Sequence, residues 1–230
     1  MRIGIFSDAH YSSKKLTCDK RFCSLSLGKI KKGYSFFSEQ KCKIVISLGD
    51  LIDKDVSKEL DIKHLSEISK VIKESGIETV CLMGNHDAFT FTNDEYYGVL
   101  GGCEPTDRDV GGKRLIFCDS CYFGNGERYA PDGGDWTDCF FPFEKEFFAK
   151  LEGPGEKLVF IHHNIDPAIP NDHRLFNADA LFEGIRKSNG VKTVFQGHYH
   201  PGKESVYGET VYKTLPAVCE NENAFFVFEI

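Results

Sequence analysis

Five short apolar runs punctuate the chain: Ile3-Gly4-Ile5-Phe6, Ile44-Val45-Ile46, Val80-Cys81-Leu82-Met83, Leu158-Val159-Phe160-Ile161 and Val191-Lys192-Thr193-Val194-Phe195. Their length and their β-branched and aromatic content predict buried strands. Between the first three, apolar residues recur at helical spacing. Leu65, Ile68, Val71 and Ile72 mark one stripe of a helix over Ser57 to Ser75, with Gly76 as its stop. Another helix is expected over about Arg21 to Gln40, although Gly28 and Gly33 weaken that pattern.

Strand-helix-strand-helix-strand implies parallel pairing with right-handed crossovers. Asn93 is a candidate cap for a short helix holding Tyr96, Tyr97 and Leu100. Gly111-Gly112 turns a hairpin that leads into Leu115–Cys118. Helices follow at Glu144–Glu152 and about Ala178 to Ser188, and the C-terminus reads as strands at Ser205–Tyr207, Thr210–Leu215 and Ala224–Ile230. Residues 124–143 are too irregular for a regular element and too aromatic for disorder. There Trp136, Tyr129, Phe140 and Phe141 either stack on a base or pack as core or lid. Periodicity gives an α/β or α+β class and leaves the arrangement of sheets open.

A length of 230 residues suits one domain, 1–230, with a substantial core. No apolar run approaches the roughly 20 residues needed to cross a bilayer, and the first strand begins at Arg2, with no room for a signal peptide. A cytoplasmic protein without a membrane partner is expected. Net charge is 28 − 35 = −7, which disfavours wholesale nucleic-acid binding. It leaves an anionic substrate open, because bound cations would dominate the local field. The nine cysteines are odd in number and lack a compact disulfide spacing, so they read as reduced thiols. Cys118-x-x-Cys121 reads as small buried hydrophobes rather than a redox or zinc pair.

The chemistry is concentrated at the ends of the five runs. Asp8-Ala9-His10, Gly49-Asp50, Gly84-Asn85-His86-Asp87, His162-His163 and Gly197-His198-Tyr199-His200 follow them in order and hold six of the eight histidines. In open α/β sheets the carboxyl ends of strands share one rim where ligands bind. Carboxylate, amide and imidazole groups would converge there, as a metal centre requires. Gly197 and Gly84 are expected to supply the conformational freedom for the turns that present these ligands. His64, on the amphipathic helix, reads as a solvated face residue, and His173 as an ordinary loop residue that, with Arg174, is within reach of a phosphate.

The five blocks, in this order, resemble the DxH, GDxx, GNHD/E, H, GHxH signature of the calcineurin-like metallophosphoesterase superfamily, and they span Asp8 to His200. The resemblance implies a four-layer αββα sandwich, two mixed β-sheets flanked by helices. It implies two divalent ions (Mn, Fe, Zn, Ni or Co), one bound by Asp8, His10, Asp50 and His200, the other by Asp50, Asn85, His162 and His198. Asp50 would bridge them, and a hydroxide between the ions would attack phosphorus, with the ions and Asn85 holding the phosphoryl oxygens. His86 resembles the histidine that faces the scissile group and protonates the leaving oxygen. Asp53 stands where the protein phosphatases of the superfamily orient that histidine, and reads equally as a loop carboxylate. His163 contacts substrate or merely packs behind the ligands, and Asp87 supports the loop.

Lys54 and GNHD depart from the GDYVDRG and GNHE of the protein phosphatases. Ser7-Asp8-Ala9-His10-Tyr11, Gly49-Asp50-Leu51-Ile52-Asp53 and Pro216-Ala217…Asn223-Ala224 look more like the cyclic-nucleotide and ADP-ribose/CDP-alcohol hydrolase branch. That resemblance implies a small-molecule or nucleotide substrate cleaved at a phosphodiester or pyrophosphate bond. A phosphomonoesterase of small molecules and a catalytically silent binding scaffold are the alternatives. The complete ligand set, His86 included, disfavours the scaffold, and the acidic surface disfavours a nuclease.

Overall fold

In a computed structural model that describes residues 1–131 and 139–230, two sheets pack face to face. Trp136 lies outside the described residues. The first sheet has the order β10-β1-β2-β3, built from β1 (Arg2–Phe6), β2 (Ile44–Ser47), β3 (Glu78–Cys81) and β10 (Phe226–Glu229). β1, β2 and β3 are parallel, as the strand-helix alternation predicts, and β10 runs antiparallel to β1. The second sheet, β4-β5-β6-β7-β9-β8, contains β4 (Arg108–Val110), β5 (Lys113–Cys118), β6 (Glu156–Ile161), β7 (Val191–Gln196), β8 (Lys203–Tyr207) and β9 (Thr210–Thr214). Its centre, β5-β6-β7-β9, is parallel and its two edges are antiparallel.

Alternation along the strands divides the core into layers. Ile3, Ile5, Ile44, Ile46 and Val80 meet Leu115, Phe117, Leu158, Phe160 and Phe195 between the sheets. Phe160 stacks on both Phe117 and Phe195 with centroids 5.1 Å apart in each pair. Burying such a side chain stabilises the fold by about 1.5–3 kcal/mol. The opposite face of the first sheet, with Phe6, Val45 and Cys81, packs on helices α1 (Ser26–Glu39) and α2 (Lys58–Ser75). Val159, Ile161 and Val194 of the second sheet share their outer layer with Phe147 and Leu151 of α5 (Glu144–Leu151) and Leu181 and Ile185 of α6 (Ala178–Lys187). The layers are therefore helix, sheet, sheet, helix.

The helices start and stop for local reasons. Ser57 caps α2 by accepting the Leu60 N–H, Glu59 and Asp61 favour its positive end, and Gly76 ends it at φ 65°. The short helix after the GNHD block, α3 (Asn85–Ala88), precedes α4 (Asn93–Leu100). The cap of α4 is Thr92, not Asn93: Thr92 and Glu95 form a reciprocal capping box. His64 also departs from expectation. It is buried, with the Tyr11 ring 4.7 Å away. The chain leaving β1 bridges to Ile52 and lays Tyr11 across α2, where its hydroxyl donates to Glu67 at 2.6 Å. Eight of the nine cysteines are buried, Cys118 and Cys121 among them. No helix among the described residues is long and apolar enough to cross a membrane.

Candidate metal centre

The two sheets bring their carboxyl ends to a common edge, so the rim is shared by two sheets rather than belonging to one. Asp8 follows β1, Asp50 follows β2 and Asn85 begins α3 just after β3. From the other sheet, His162 and His163 follow β6 and His198 and His200 follow β7. Backbone hydrogen bonds lock these loops together: Asp8 N–H donates to Gly49 O at 3.1 Å, His10 N–H to Asp50 O at 2.9 Å, and Gly197 N–H to His162 O at 2.9 Å. That framework holds Asp8, His10, Asp50 and His198 at φ of 57°, 46°, 53° and 64°. A side-chain-bearing residue in this region costs about 1–3 kcal/mol, so the surroundings must impose it.

Gly84 and Gly197 do not have the positive φ expected of them. Gly84 is extended at φ −97°, and Gly197 is not among the glycines with positive φ. They are needed for close approach. A Cβ on Gly84 would lie 2.1 Å from Asp50 Oδ1, and one on Gly197 would lie 2.1 Å from Ser7 Oγ and 2.8 Å from Asp8 Oδ2. The left-handed conformation falls on the ligands themselves.

Two groups of donors meet at Asp50. On one side His10 Nε2 is 3.5 Å from Asp50 Oδ2, 3.8 Å from Asp8 Oδ1 and 3.1 Å from His200 Nε2. On the other, His162 Nε2 is 3.4 Å from Asp50 Oδ2 and 3.1 Å from Asn85 Oδ1, while its Nδ1 faces Leu48 O at 2.9 Å. The His198 ring lies 5.3 Å from that of His162, and the His198 backbone N–H donates to Asp8 Oδ2 at 3.0 Å. His86 stands at the edge, its ring 4.5 Å from His10. Its N–H donates to Asp50 Oδ1 at 2.8 Å and its Nδ1 meets Asp53 Oδ1 at 3.0 Å. Asp87 points into the loop framework instead, accepting the N–H groups of Leu51, Ile52 and Gly84 at 3.1–3.2 Å.

Within this cluster the buried carboxylates and imidazoles set one another's charge. Burial raises Asp8, but its bonds to His10 and His200 outweigh that and hold it well below the usual carboxylate range. Burial opposes charge on His162 and His200, yet Asp50 drives the first up to about 9, and Asp8 with Cys219 and Glu220 drives the second up to about 11. Burial and His86 push His10 down to about 4, and burial with His162 pushes His198 down to about 3. Two buried carboxylates thus face imidazoles that cannot all be cationic together. His10 Nδ1 and His163 Nε2 are buried without a hydrogen-bond partner. Mixed carboxylate, amide and imidazole donors in mutual reach suit divalent ions of the Mn, Fe, Co, Ni and Zn group.

The remaining sequence candidates divide. His163 is buried, its Nδ1 2.8 Å from Ser120 Oγ and its ring 4.7 Å from His198. Arg174 pairs with Asp179 and reaches Asn171 and Ile165 O, in a cleft it shares with Phe176. Its neighbour His173 approaches instead, with its ring 5.6 Å from His198, so the ordinary loop reading of His173 does not describe its position. Tyr129 packs on Phe89 at 4.7 Å, and both it and Phe141 are buried. Pattern reasoning missed three neighbours. Glu220 meets His200 Nδ1 at 2.5 Å, Lys14 meets Asp53 at 3.1 Å, and Ser120 supports His163. Each is a common residue in a loop, and only its three-dimensional neighbour distinguishes it.

Residues 1–202 match the calcineurin-like phosphoesterase family. The chain is 25% identical over 227 residues to a probable cyclic nucleotide phosphodiesterase of Psychrobacter arcticus, covering 93% of this chain and 74% of that protein. It is 26% identical over 226 residues to one of Fibrobacter succinogenes, covering 93% and 78%. Its fold is similar to that of a dimetal phosphatase from Danio rerio, with a TM-score of 0.84 and 15% identity over 99% of this chain and 91% of that one. With its ligand-type residues gathered at one edge of two packed sheets, the chain belongs to the calcineurin-like phosphoesterase family and is a metal-dependent hydrolase of phosphoesters.

Proposed function

We propose that the chain hydrolyses a phosphodiester or a nucleotide pyrophosphate at a centre of two divalent ions. One ion would be held by Asp8, His10, Asp50 and His200, the other by Asp50, Asn85, His162 and His198. The observation that carries this reading is the position of Asp50. Its Oδ2 is 3.5 Å from a histidine of one group and 3.4 Å from a histidine of the other, which suits a bridging carboxylate. When bound, the ions supply Lewis-acid polarisation and a water of lowered pKa. The named likeness to cyclic nucleotide phosphodiesterases supports the diester side of the proposal.

The chain's own residues do the rest. Asn85 offers an amide oxygen to the ion and an N–H to a phosphoryl oxygen. Asp53 fixes His86 through Nδ1, which assigns Nε2 to protonating the leaving oxygen. Water supplies the new P–O bond, the bond to the leaving group breaks, and the products are a monoester and an alcohol, or two phosphates from a pyrophosphate. His163 and His173 stand near His198 as candidates for substrate contact, and Arg174 is not assigned a contact.

Hydrolysis of bis-p-nitrophenyl phosphate against p-nitrophenyl phosphate, across Mn, Fe, Co, Ni and Zn, tests the reading. Faster turnover of the diester with at least one of these ions is expected. A wild-type enzyme faster on the monoester with every ion would replace the diesterase by a phosphomonoesterase. Inactivity on both, and on nucleotide pyrophosphates, would leave a binding scaffold.

A further inference from the structure

Glu220 lies outside every sequence block that carries the family signature, yet it touches the centre. Its Oε1 is 2.5 Å from His200 Nδ1, and the Nε2 of the same ring faces Asp8 Oδ1 at 3.5 Å and His10 Nε2 at 3.1 Å. The carboxylate is itself held. Lys20 Nζ lies 3.3 Å from Oε2, and Arg21 Nε lies 3.9 Å from Oε1. Its turn is tied to the ligand loop: Cys219 N–H donates to Asp8 O at 3.1 Å, Val218 N–H to Ser7 O at 3.0 Å, and Ala217 N–H to His200 O at 3.0 Å.

A histidine has two nitrogens, and a partner on one decides what the other can do. A carboxylate on Nδ1 keeps the proton there, turns the lone pair of Nε2 toward Asp8 and His10, and makes that nitrogen a stronger donor. Cys219 is the rival partner, with its Sγ 4.0 Å from the same Nδ1. It is farther away than Glu220, and sulfur is a weak acceptor. In the other group, among the described residues, the Nδ1 of His162 faces a backbone carbonyl instead of a carboxylate. The two halves of the centre are therefore built differently.

We infer that Glu220 is a positioning residue that sets the affinity of one of the two metal positions, the one containing His200, by orienting His200 through Nδ1. This rests on the two-ion reading above. No motif or spacing marks it, because the contact joins a turn to a ring 20 residues earlier.

The test is calorimetric titration of the metal-stripped full-length protein with Mn²⁺, for wild type, Glu220→Ala and Glu220→Gln. Wild type is expected to take up two ions. Glu220→Ala should bind one of them roughly 10–100-fold more weakly, the usual effect of losing such a partner, and leave the other unchanged. Glu220→Gln retains an acceptor oxygen and should fall between. Both variants should recover turnover at saturating Mn²⁺. Unchanged affinity for both ions in Glu220→Ala, or an equal loss at both accompanied by lowered thermal stability of the metal-free protein, would overturn the inference. A wild type that binds fewer than two ions would overturn the two-ion reading itself, whatever the variants do.

Discussion

Gly84→Ala should damage the centre through close contact with Asp50 rather than through its own backbone conformation. Gly84 is extended at φ −97° and ψ 179°, which alanine adopts without strain. The added Cβ would nevertheless lie 2.1 Å from Asp50 Oδ1 and 2.5 Å from Asp50 N, and ordinary contacts begin at 3.4 Å. The carboxylate oxygen must retreat by 3.4 − 2.1 = 1.3 Å for an ordinary contact, or by 0.9 Å to reach even the 3.0 Å limit. Overpacking of this kind costs about 1–3 kcal/mol of stability, or roughly 2–12 °C in Tm for a chain of this size. Its effect on rate is larger, because Asp50 Oδ1 also holds the His86 N–H at 2.8 Å and a 1 Å misplacement is worth about 100-fold in rate. Gly76→Ala is the counterpart: φ is 65° and nothing lies within 4 Å of the new Cβ. It should cost about 1–2 kcal/mol from the left-handed backbone and leave kcat alone. The assays are kcat on bis-p-nitrophenyl phosphate, metal content and thermal melting. Full activity in Gly84→Ala, or a matching loss of kcat in Gly76→Ala, would refute the close-approach argument.

Other substitutions separate the roles around Asp50. Asp50→Asn should abolish turnover together with metal content, whereas His86→Ala should lower turnover by about 100- to 10,000-fold with metals retained; metal lost from His86→Ala would mean that His86 is a ligand. Asp53→Asn should lower kcat in the same direction but by less than His86→Ala, with KM and metal content unchanged, since it acts through Nδ1 of that ring. Stripping the metals should lower stability by about 4 kcal/mol for each ion held at a 1,000-fold excess over its Kd, or roughly 8–16 °C per ion. A melting temperature indifferent to chelator would contradict resident ions.

The elements were legible wherever the signal was local. The parallel β1-β2-β3 unit follows from three apolar runs separated by helical stripes, and Ser57 and Gly76 bound α2 where the sequence places them. Shifts of one residue, such as Thr92 in place of Asn93 as a cap, reflect two good capping residues side by side. What the sequence did not show depends on approach between distant segments. His64 carries the polarity of a surface residue on an amphipathic helix but is buried, with Tyr11 and Asp55 packed against it. Arg174 pairs with Asp179, five residues on, and that pairing has no signature in spacing. Glu220 and Lys14 are silent for the same reason.

The glycines make the deeper point about how this centre is encoded. A glycine in a ligand block suggests a turn that needs positive φ, and Gly49 meets that expectation at 112°. Gly84 and Gly197 do not, because the space they leave is taken by Asp50 in one case and by Ser7 and Asp8 in the other. The loops can then close on each other so tightly that Asp8, His10, Asp50 and His198 are forced left-handed. Strain is carried by the residues proposed as metal ligands, and the backbone hydrogen bonds between Asp8 and Gly49 and between His10 and Asp50 hold it there. Ligand geometry in this chain is thus set by neighbouring loops as much as by the blocks themselves. A substitution that loosens one loop, even away from any donor atom, should therefore move ligands contributed by another.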